Sequence, residues 1–232
     1  MSQTTERVFE TYVEEILHEK SGWRQGDKSD WDKESALFSK QIFAFLQTTQ
    51  PKLWDEMQAL HGTGLESLLI TALAKELDLK GALHVLRHGF KFYGKTFRLA
   101  YFKPAHGLNY EVLELYKKNS LTLTRQVPCH PNDGCTVDML FAVNGVPVAT
   151  CELKNPGTGQ SWRNAVKQYK EDRDPRVPLF QFKSRALVHF AADPDEVHMT
   201  TRLQKGKTHF LPFNRGSHPG EVQCGAGNPQ HP

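Results

Sequence analysis

Two acidic residues and one lysine in the middle of the chain are of the types that support hydrolysis of a phosphodiester. Asp138 opens an apolar run, and Glu152 and Lys154 end a second apolar run that starts after an Asn-Gly dipeptide. Carboxylates can hold Mg²⁺, a hard ion that takes oxygen ligands. Such an ion lowers the pKa of a bound water and offsets charge in the transition state, while a lysine orients the water or stabilises charge. The pattern therefore points to metal-assisted cutting of a nucleic acid.

The same three residues also admit a plainer interpretation, which the sequence leaves open. Asp138 would then be a surface residue of a strand, and Glu152 and Lys154 would form an exposed ion pair on the neighbouring strand. Their place at the end of an apolar strand, after an acidic strand and an Asn-Gly turn, favours the metal site.

The elements that must position these residues are two strands joined by a tight turn. Residues 136–142 and 146–153 are apolar runs, and the Asn-Gly dipeptide between them is a strong hairpin signal. Because side chains alternate between the two faces of a strand, Glu152 and Lys154 share one face. Leu153 then points into a core on the other face.

The length of the hairpin turn decides whether Asp138 joins this pair. A strict two-residue turn would set it opposite Cys151, on the face away from Glu152. A three-residue loop with Gly145 in the left-handed conformation would pair it with Thr150 instead. We predict this longer loop, or an equivalent bulge, because the two carboxylates and the lysine then converge.

The rest of the chain divides into a helical first part and a mixed second part. Residues 5–19 place apolar side chains at helical spacing, and further helical patterns occur at about 37–51 and 64–78. From residue 83 onward, β-branched and aromatic runs alternate with helical patterns. The predicted strands there are 97–102, 121–127, 186–191 and 197–201, and the predicted helices are 109–118 and 161–173. The predicted fold class is α/β (α+β), a mixed β-sheet flanked by helices with a helical N-terminal segment.

Composition excludes several classes of protein. The 232-residue chain has a mean hydropathy of −0.55 and no apolar run long enough to span a membrane. Its N-terminus lacks the basic and apolar blocks of a signal peptide, so we expect a cytoplasmic protein. Only four cysteines in a chain this long argue against a disulfide scaffold, and the absence of a C-x2-C pair argues against a structural zinc site. Reduced thiols are therefore expected.

Charge is distributed unevenly along the chain. Residues 1–80 hold 9 Lys and Arg against 14 Asp and Glu, whereas residues 81–232 hold 20 against 12. A basic second part suits a polyanionic partner, because Lys and Arg that neutralise phosphates gain affinity through counterion release. A solvated surface explains the same asymmetry equally well.

One segment matches a nucleotide-binding motif that we reject. Gly89–Thr96 satisfies the P-loop expression G-x4-G-K-[ST]. A P-loop needs a helix directly after it, so that the N-terminus of the helix meets the phosphates. Here residues 97–102 are predicted as a strand that ends before Pro104, and two bulky aromatic residues lie inside the loop. No cofactor-binding residues are therefore assigned to this segment.

The hairpin pattern resembles the core of the PD-(D/E)xK nucleases. Asp138, Glu152 and Lys154 stand at the motif positions, and Val137 takes the place of the proline that gives the motif its name. The resemblance implies that the two acidic residues ligate Mg²⁺ and that Lys154 is the catalytic lysine. The backbone carbonyl of Leu153 would add a further metal ligand.

The sequence around the hairpin, beyond the three motif residues, resembles one family more specifically. The stretches VDMLFAVNGVPVATCELKNPGTGQSWRNAVKQYKEDRDP and PLFQFKSRALVHFAADPDEVHMTTRL are similar to the N-terminal nuclease region of the R (restriction/motor) subunit of type I restriction-modification enzymes. The resemblance covers about residues 6–20 and 83–230 and is strongest from Asp138 onward.

This resemblance suggests two further site residues. Gln168 matches the glutamine of a Q-x-x-x-Y motif on the helix after the site, but the tyrosine position holds Asp172. Tyr169 is one step along the helix and is predicted to point elsewhere. Glu10 matches a glutamate that many nucleases of this core draw from the first helix as a metal ligand. A solvated helix face is the alternative for Glu10.

Four basic residues recur on the predicted helix 161–173 at spacings of three to four residues. This spacing would align them along one side, where they could contact DNA phosphates without reading bases. Because Glu171 and Asp172 are interleaved, a salt-bridged solvent face is the competing interpretation. The four residues are Arg163, Lys167, Lys170 and Arg173.

The resemblance also implies an activity and a set of partners. It implies Mg²⁺-dependent endonucleolytic cleavage of double-stranded DNA, with methyltransferase and specificity subunits and a C-terminal ATP-driven motor domain beyond this chain. Residues 1–211 would form the nuclease domain, with a helical elaboration at about 24–80 and a catalytic core at about 83–203. Residues 212–232 would be a flexible tail or linker. The alternative is a non-catalytic module that keeps the nuclease fold and docks DNA or partner subunits.

Overall fold

The computed structural model describes residues 2–105, 109–130 and 134–213, and a seven-stranded mixed sheet lies at its centre. The strands of the described residues are β1 (Arg24–Gln25), β2 (Trp31–Asp32), β3 (Leu37–Phe38), β4 (Phe90–Phe92), β5 (Lys95–Phe97), β6 (Leu121–Pro128), β7 (Thr136–Val143), β8 (Val146–Leu153), β9 (Val188–Ala192), β10 (Val197–Thr200) and β11 (Leu211–Pro212). The order in the large sheet is β1-β6-β7-β8-β9-β10-β11. The pairs β1–β6 and β8–β9 run parallel, and the other neighbours run antiparallel.

The helices of the same part of the chain cover both faces of this sheet. They are α1 (Ser2–Ser21), α2 (Ser39–Thr49), α3 (Pro51–His61), α4 (Leu65–Lys80), α5 (Ala82–His88), α6 (Tyr110–Lys117) and α7 (Trp162–Glu171). None of the helices in the described ranges has the length and apolar character that crossing a bilayer requires.

The two helices nearest the middle strands pack on opposite faces. Leu153 of β8 belongs to a buried cluster that includes Phe9 and Val13 of α1. Thr150 of the same strand bonds to Tyr169 of α7, with 2.8 Å between the two hydroxyl oxygens. Because Leu153 and Thr150 differ by an odd number of positions, they point to opposite faces of the strand. The predicted fold class, a mixed sheet flanked by helices, is confirmed.

The helical elaboration predicted over 24–80 begins only at residue 39. Residues 24–38 form short strands and one turn of 3₁₀ helix instead. Within this turn, Asp30 accepts hydrogen bonds from the backbone N–H groups of Lys40 (2.8 Å) and Gln41 (3.1 Å) in the first turn of α2. A side chain ten residues away therefore supplies the acceptors that the free N–H groups of this helix need.

Pro51 begins a helix as well as following one. The sequence predicted that a helix would stop near this proline, and α2 does end at Thr49. The helix that Pro51 opens, α3, was missed, as was α5. Proline is well suited to the first position of a helix, because the N–H group that it lacks has no partner within the helix.

The segment that matches the P-loop expression is a β-hairpin. Strands β4 and β5 pair through a turn at Tyr93 and Gly94, which have φ angles of 46° and 78°. The strand ends at Phe97, so the prediction of a strand over 97–102 was wrong in its bounds, and no helix lies in residues 98–105. The helix N-terminus that a P-loop offers to phosphates is therefore not present after this hairpin.

The β7–β8 hairpin has a two-residue turn and a shift of register further along. Val143 pairs with Val146, so the predicted three-residue loop is wrong. The register then shifts by one residue between Ala142 and Phe141, so that Phe141 pairs with Ala149. This shift is the equivalent bulge that the prediction allowed.

The shift changes which residues face each other at the far end of the hairpin. Met139 lies opposite Cys151, and continuing this register places Asp138 opposite Glu152 rather than opposite Thr150. The two carboxylates therefore share a face, as the sequence required, although the paired residues differ from those predicted.

Several other predicted elements agree with the structure. The helix predicted over 109–118 is α6, the strand over 121–127 is β6, and the helix over 161–173 is α7, which ends two residues earlier than predicted. Residues 212 and 213 do not belong to the predicted tail, because Pro212 lies in β11 and the N–H of Phe213 donates to the Val197 carbonyl (2.7 Å). The remainder of that predicted tail, 214–232, lies outside the described residues.

The cysteines depart from the expectation of reduced thiols. Cys129 and Cys135 form a disulfide, with 5.7 Å between their Cα atoms. They follow β6 and precede β7, and the Cys129 N–H donates to the Cys135 carbonyl (2.9 Å), so the pairing of the two strands brings them together. Cys151 is buried with a free thiol, and Cys224 lies outside the described residues.

Candidate active site

Asp138, Glu152 and Lys154 meet at the end of the β7–β8 hairpin that is far from its turn. The Oδ2 atom of Asp138 accepts a hydrogen bond from the Leu153 N–H (2.8 Å), and the Nζ atom of Lys154 lies 3.9 Å from the same oxygen. All three side chains are buried, with Asp138 8% and Glu152 0% exposed. The interpretation as an exposed ion pair is therefore wrong, because a surface pair would be open to water.

Glu152 is the most deeply buried of these groups. Its Oε1 atom accepts hydrogen bonds from Nε (2.9 Å) and Nη2 (2.5 Å) of Arg173. Its Oε2 atom is buried and has no hydrogen-bond partner among the described residues. Burial raises the pKa of Glu152 to about 8, and the negative charge of Asp138 adds to this effect, while Arg173 and Lys154 act against it.

Arg173 has a different place from the one predicted. The sequence placed it with the basic side chains that could contact DNA phosphates, but α7 ends at Glu171 and helical spacing does not extend to it. Its side chain is 3% exposed and turns inward to Glu152, and its Nη2 atom also donates to the Thr136 carbonyl (2.7 Å). Arg173 is therefore the counter-charge of the buried glutamate and is not available to an external phosphate.

The other three basic residues of this group lie on α7. Arg163 and Lys167 are exposed, and Lys170 is half-buried. Lys167 forms an exposed pair with Glu171 (3.8 Å), and the Arg163 guanidinium lies 4.5 Å from the centre of the Trp162 ring. Arg163 and Lys167 therefore lie at the surface, as a contact with phosphates would require. The Lys167–Glu171 pair also fits the alternative, a salt-bridged solvent face.

Glu10 is buried beside the site and is not on a solvated helix face. It is 2% exposed, and its Oε2 atom accepts from Nε (2.9 Å) and Nη2 (2.6 Å) of Arg125. Its Oε1 atom accepts from Nε2 of Gln126 (2.7 Å). The same Nε2 atom donates to Oδ1 of Asp138 (3.1 Å), so one amide connects Glu10 with the site.

The sequence missed Gln126. No motif marks it, because its role depends on the strand register that places it opposite Asp138. The neighbouring pairs Arg125–Met139 and Val127–Val137 fix that register.

Gln168 and Tyr169 have separate surroundings. Gln168 is half-buried on α7, and no hydrogen bond joins its side chain to another described residue. Tyr169 is buried against the sheet, and its hydroxyl lies 2.8 Å from Oγ1 of Thr150, which in turn lies 2.8 Å from Nδ1 of His189. Burial lowers the pKa of His189 to about 3, so this network is neutral near pH 7. The site role of Gln168 stays a prediction.

The donor set at the hairpin end fits a hard divalent cation. Two carboxylates are buried together, and one oxygen of Glu152 has no partner in the described part of the chain. A cation at this point would supply that partner and would favour the charged form of Glu152, against the burial and the Asp138 charge that raise its pKa. Asp138 and Glu152 are the residues that would hold Mg²⁺, and the Leu153 carbonyl stays a predicted ligand. The described ranges contain no group of three or more His, Cys, Asp or Glu side chains arranged to hold a metal.

These observations define a class of protein: a mixed α/β domain with two buried carboxylates and a lysine at one end of a central strand pair. The family model for the type I restriction enzyme R protein N terminus matches residues 3–208, and the chain belongs to this family. No curated protein matches the sequence closely enough to count as a relative. Membership of this family connects the chain with a restriction-modification complex and with DNA.

Proposed function

We propose that this chain is the nuclease part of a type I restriction enzyme R subunit and that it cuts double-stranded DNA with Mg²⁺. The observation that carries the proposal is the burial of Asp138 and Glu152 together, with Lys154 3.9 Å from Asp138 and one glutamate oxygen unpartnered among the described residues. Proteins rarely bury two carboxylates side by side without a function that requires both. This arrangement supports the assignment of a PD-(D/E)xK nuclease core.

The roles of the residues follow from their contacts. Asp138 is oriented from two sides, by the Leu153 N–H and the Gln126 amide, so its carboxylate has a fixed plane. Arg173 holds Oε1 of Glu152 and leaves the buried Oε2 without a hydrogen-bond partner among the described residues. When bound, Mg²⁺ would supply an acidified water and would offset charge on the phosphate. Lys154 would hold that water in place or stabilise charge on the phosphate oxygens.

The proposed partners follow from the same family. Double-stranded DNA is the substrate, and methyltransferase and specificity subunits supply sequence recognition. A C-terminal motor domain of the R subunit would use ATP, and the hairpin at Gly89–Thr96 would take no part in nucleotide binding because it lacks the helix that a P-loop needs. The basic side chains of α7 are proposed phosphate contacts.

The test is cleavage of plasmid DNA in the presence of Mg²⁺ by the assembled restriction complex that contains this chain. We expect Asp138→Asn and Lys154→Met to lower the cleavage rate by at least about a hundredfold, because each removes one group on which the chemistry depends. Lys117→Met is the matched control, since Lys117 is an exposed lysine paired with Glu114 on α6.

The outcomes separate the two interpretations of the fold. Equal cutting by the native protein and both site variants would refute the catalytic assignment. Failure of the native complex to cut, with DNA binding preserved, would instead favour a docking module that retains the fold.

A further inference from the structure

Gln126 has a backbone conformation that is unusual within a strand. Its φ angle is 51°, in the left-handed region that glycine, asparagine and aspartate adopt more readily than glutamine. The ladder continues on both sides of it, with Arg125 opposite Met139 and Val127 opposite Val137. The strand therefore keeps its register while one residue in it is strained.

The strain changes which way the neighbouring side chains point. In a regular strand, Arg125 and Gln126 would point to opposite faces, yet both contact Glu10 of α1. The buried clusters change sides at the same place, because Leu123 packs in the cluster next to α1 and Val127 packs in the cluster next to α7. The left-handed residue is the point at which the alternation of β6 is broken.

The side-chain amide of Gln126 makes three hydrogen bonds in this arrangement. Its Nε2 atom donates one hydrogen to Oε1 of Glu10 (2.7 Å) and the other to Oδ1 of Asp138 (3.1 Å). Its Oε1 atom accepts from the hydroxyl of Thr136 (3.0 Å). A neutral amide thus joins two buried carboxylates without adding a charge that would compete with a metal ion.

If residue 126 only filled space in the core, a glutamine in a left-handed conformation would not be needed there. Glycine would relieve the strain, and an apolar side chain would avoid burying an amide. Strained conformations persist where the surrounding structure determines them, and they concentrate at functional sites. The contacts of Gln126 with Glu10 and Asp138 are the features that only its side chain supplies.

We propose that Gln126 is a positioning residue of the metal site. Its amide fixes the plane of the Asp138 carboxylate together with the Leu153 N–H, and it ties the carboxylate of Glu10 to the same place. This inference rests on the proposed function, because it assumes that Asp138 ligates a divalent cation. Groups that orient a ligand in this way typically change metal affinity by 10- to 100-fold when they are removed.

The experiment measures Mn²⁺ binding to the full chain by electron paramagnetic resonance, with Mn²⁺ as the probe of the Mg²⁺ site. We compare the native chain with Gln126→Gly, which relieves the strain, and Gln126→Met, which keeps the side-chain volume but removes the donor. Tyr93→Gly is the matched control, because Tyr93 has a φ angle of 46° in an exposed turn outside the site. Thermal unfolding reports whether each variant folds.

We expect both Gln126 variants to bind Mn²⁺ at least about tenfold more weakly than the native chain, and Tyr93→Gly to bind as the native chain does. Native Mn²⁺ affinity in a folded Gln126→Gly or Gln126→Met would overturn the inference and leave the proposed function standing. A native chain that binds no Mn²⁺ would overturn the proposed function and this inference with it. If Gln126→Gly does not fold, Gln126→Met alone decides between these outcomes.

Discussion

At the scale of single residues, the ion pair between Glu152 and Arg173 is the feature that makes the site unusual. A carboxylate that is 0% exposed has lost its hydration, and Arg173 supplies only part of the compensation because it reaches one of the two oxygens. Breaking a buried ion pair is costly, since the remaining charge is left without a partner. The glutamate therefore depends on Arg173 in the metal-free protein.

Replacing Arg173 by methionine tests this dependence. We expect the free energy of unfolding to fall by about 3 kcal/mol at pH 9, where Glu152 is charged, and by less at pH 6, where it can hold a proton. Chemical denaturation at the two pH values measures the difference. Arg176→Met is the matched control, because Arg176 is exposed and pairs with Asp174 only two residues away. Equal losses at both pH values, or in both variants, would contradict the assignment.

The raised pKa of Glu152 also predicts how stability depends on pH. Because the folded pKa is about 8 and the ordinary value is 4.5, the folded protein holds a proton between these values that the unfolded chain has released. The free energy of unfolding should therefore decrease as the pH rises from about 4.5 to about 8. Glu152→Gln has no titrating carboxyl at this position, so its free energy of unfolding relative to that of the native protein should increase over the same pH range. Urea denaturation of both proteins from pH 5 to 9 in chelator checks this, and parallel curves would exclude it.

At the scale of elements, the turn of the β7–β8 hairpin holds the two strands that carry the site, although it lies at the end of the hairpin far from Asp138 and Glu152. Asn144 and Gly145 have φ angles of 51° and 87°, as a two-residue turn with both residues left-handed requires. Asn144 is buried and accepts a hydrogen bond from the Ser120 N–H (2.6 Å), which fixes the turn against β6. Gly145 lies directly against β3, because a Cβ atom on it would be 2.5 Å from the Phe38 carbonyl oxygen.

Gly145 and Gly94, which each lie in the turn of a β-hairpin, give a matched comparison. Gly145→Ala should lower the free energy of unfolding by about 2 kcal/mol or more, since it adds a clash with Phe38 to the left-handed strain. Gly94→Ala has a similar φ angle of 78° in the β4–β5 turn but open space around it, so strain alone should cost about 1 kcal/mol. Thermal or urea unfolding measures both changes. A loss at Gly94 that equals the loss at Gly145 would show that contact with β3 contributes nothing.

At the scale of the whole molecule, the charge asymmetry along the sequence does not correspond to two separate bodies. The acidic helix α1 packs on the central sheet, and its Glu10 and Glu14 pair with Arg125 of β6. Strand β1 belongs to the same sheet through its parallel pairing with β6. Part of the negative charge of the first 80 residues is therefore a counter-charge within the domain. The exposed basic residues of α7 stay the proposed contacts for an external polyanion.

The exposed basic residues of α7, Arg163 and Lys167, lead to a prediction about DNA binding. The double variant Arg163→Gln and Lys167→Gln should bind duplex DNA more weakly at every sequence. The slope of log affinity against log salt concentration should become shallower by about 1 to 2, because each phosphate contact contributes about 0.9. Fluorescence anisotropy over a series of salt concentrations measures this slope.

The matched control changes two exposed lysines elsewhere. Lys95 pairs with Glu56 and Lys117 pairs with Glu114, so Lys95→Gln and Lys117→Gln remove the same kind of side chain from other surfaces. An unchanged slope in the α7 variant, or an equal change in the control, would mean that α7 is only a solvated helix face.

The sequence by itself determined the fold class and most strands and helices of the second part. It also determined that Asp138, Glu152 and Lys154 lie on the central hairpin. These features depend on local rules: the alternation of side chains on a strand fixes Glu152 and Lys154 on one face, and Asn-Gly specifies a tight turn. The helix that Pro51 begins was missed because the same residue can end one helix and start the next.

Only the tertiary structure decided what surrounds these three residues. Arg173 reaches Glu152 across 21 positions of sequence, and Gln126 reaches Glu10 across 116. The register shift in β8 places Asp138 opposite Glu152, and the left-handed conformation of Gln126 in β6 brings its side chain to Glu10. Neither feature has a local sequence signature. Because a buried charge or amide is stabilised only by groups that packing brings to it, the environment of the site follows from the folded chain as a whole.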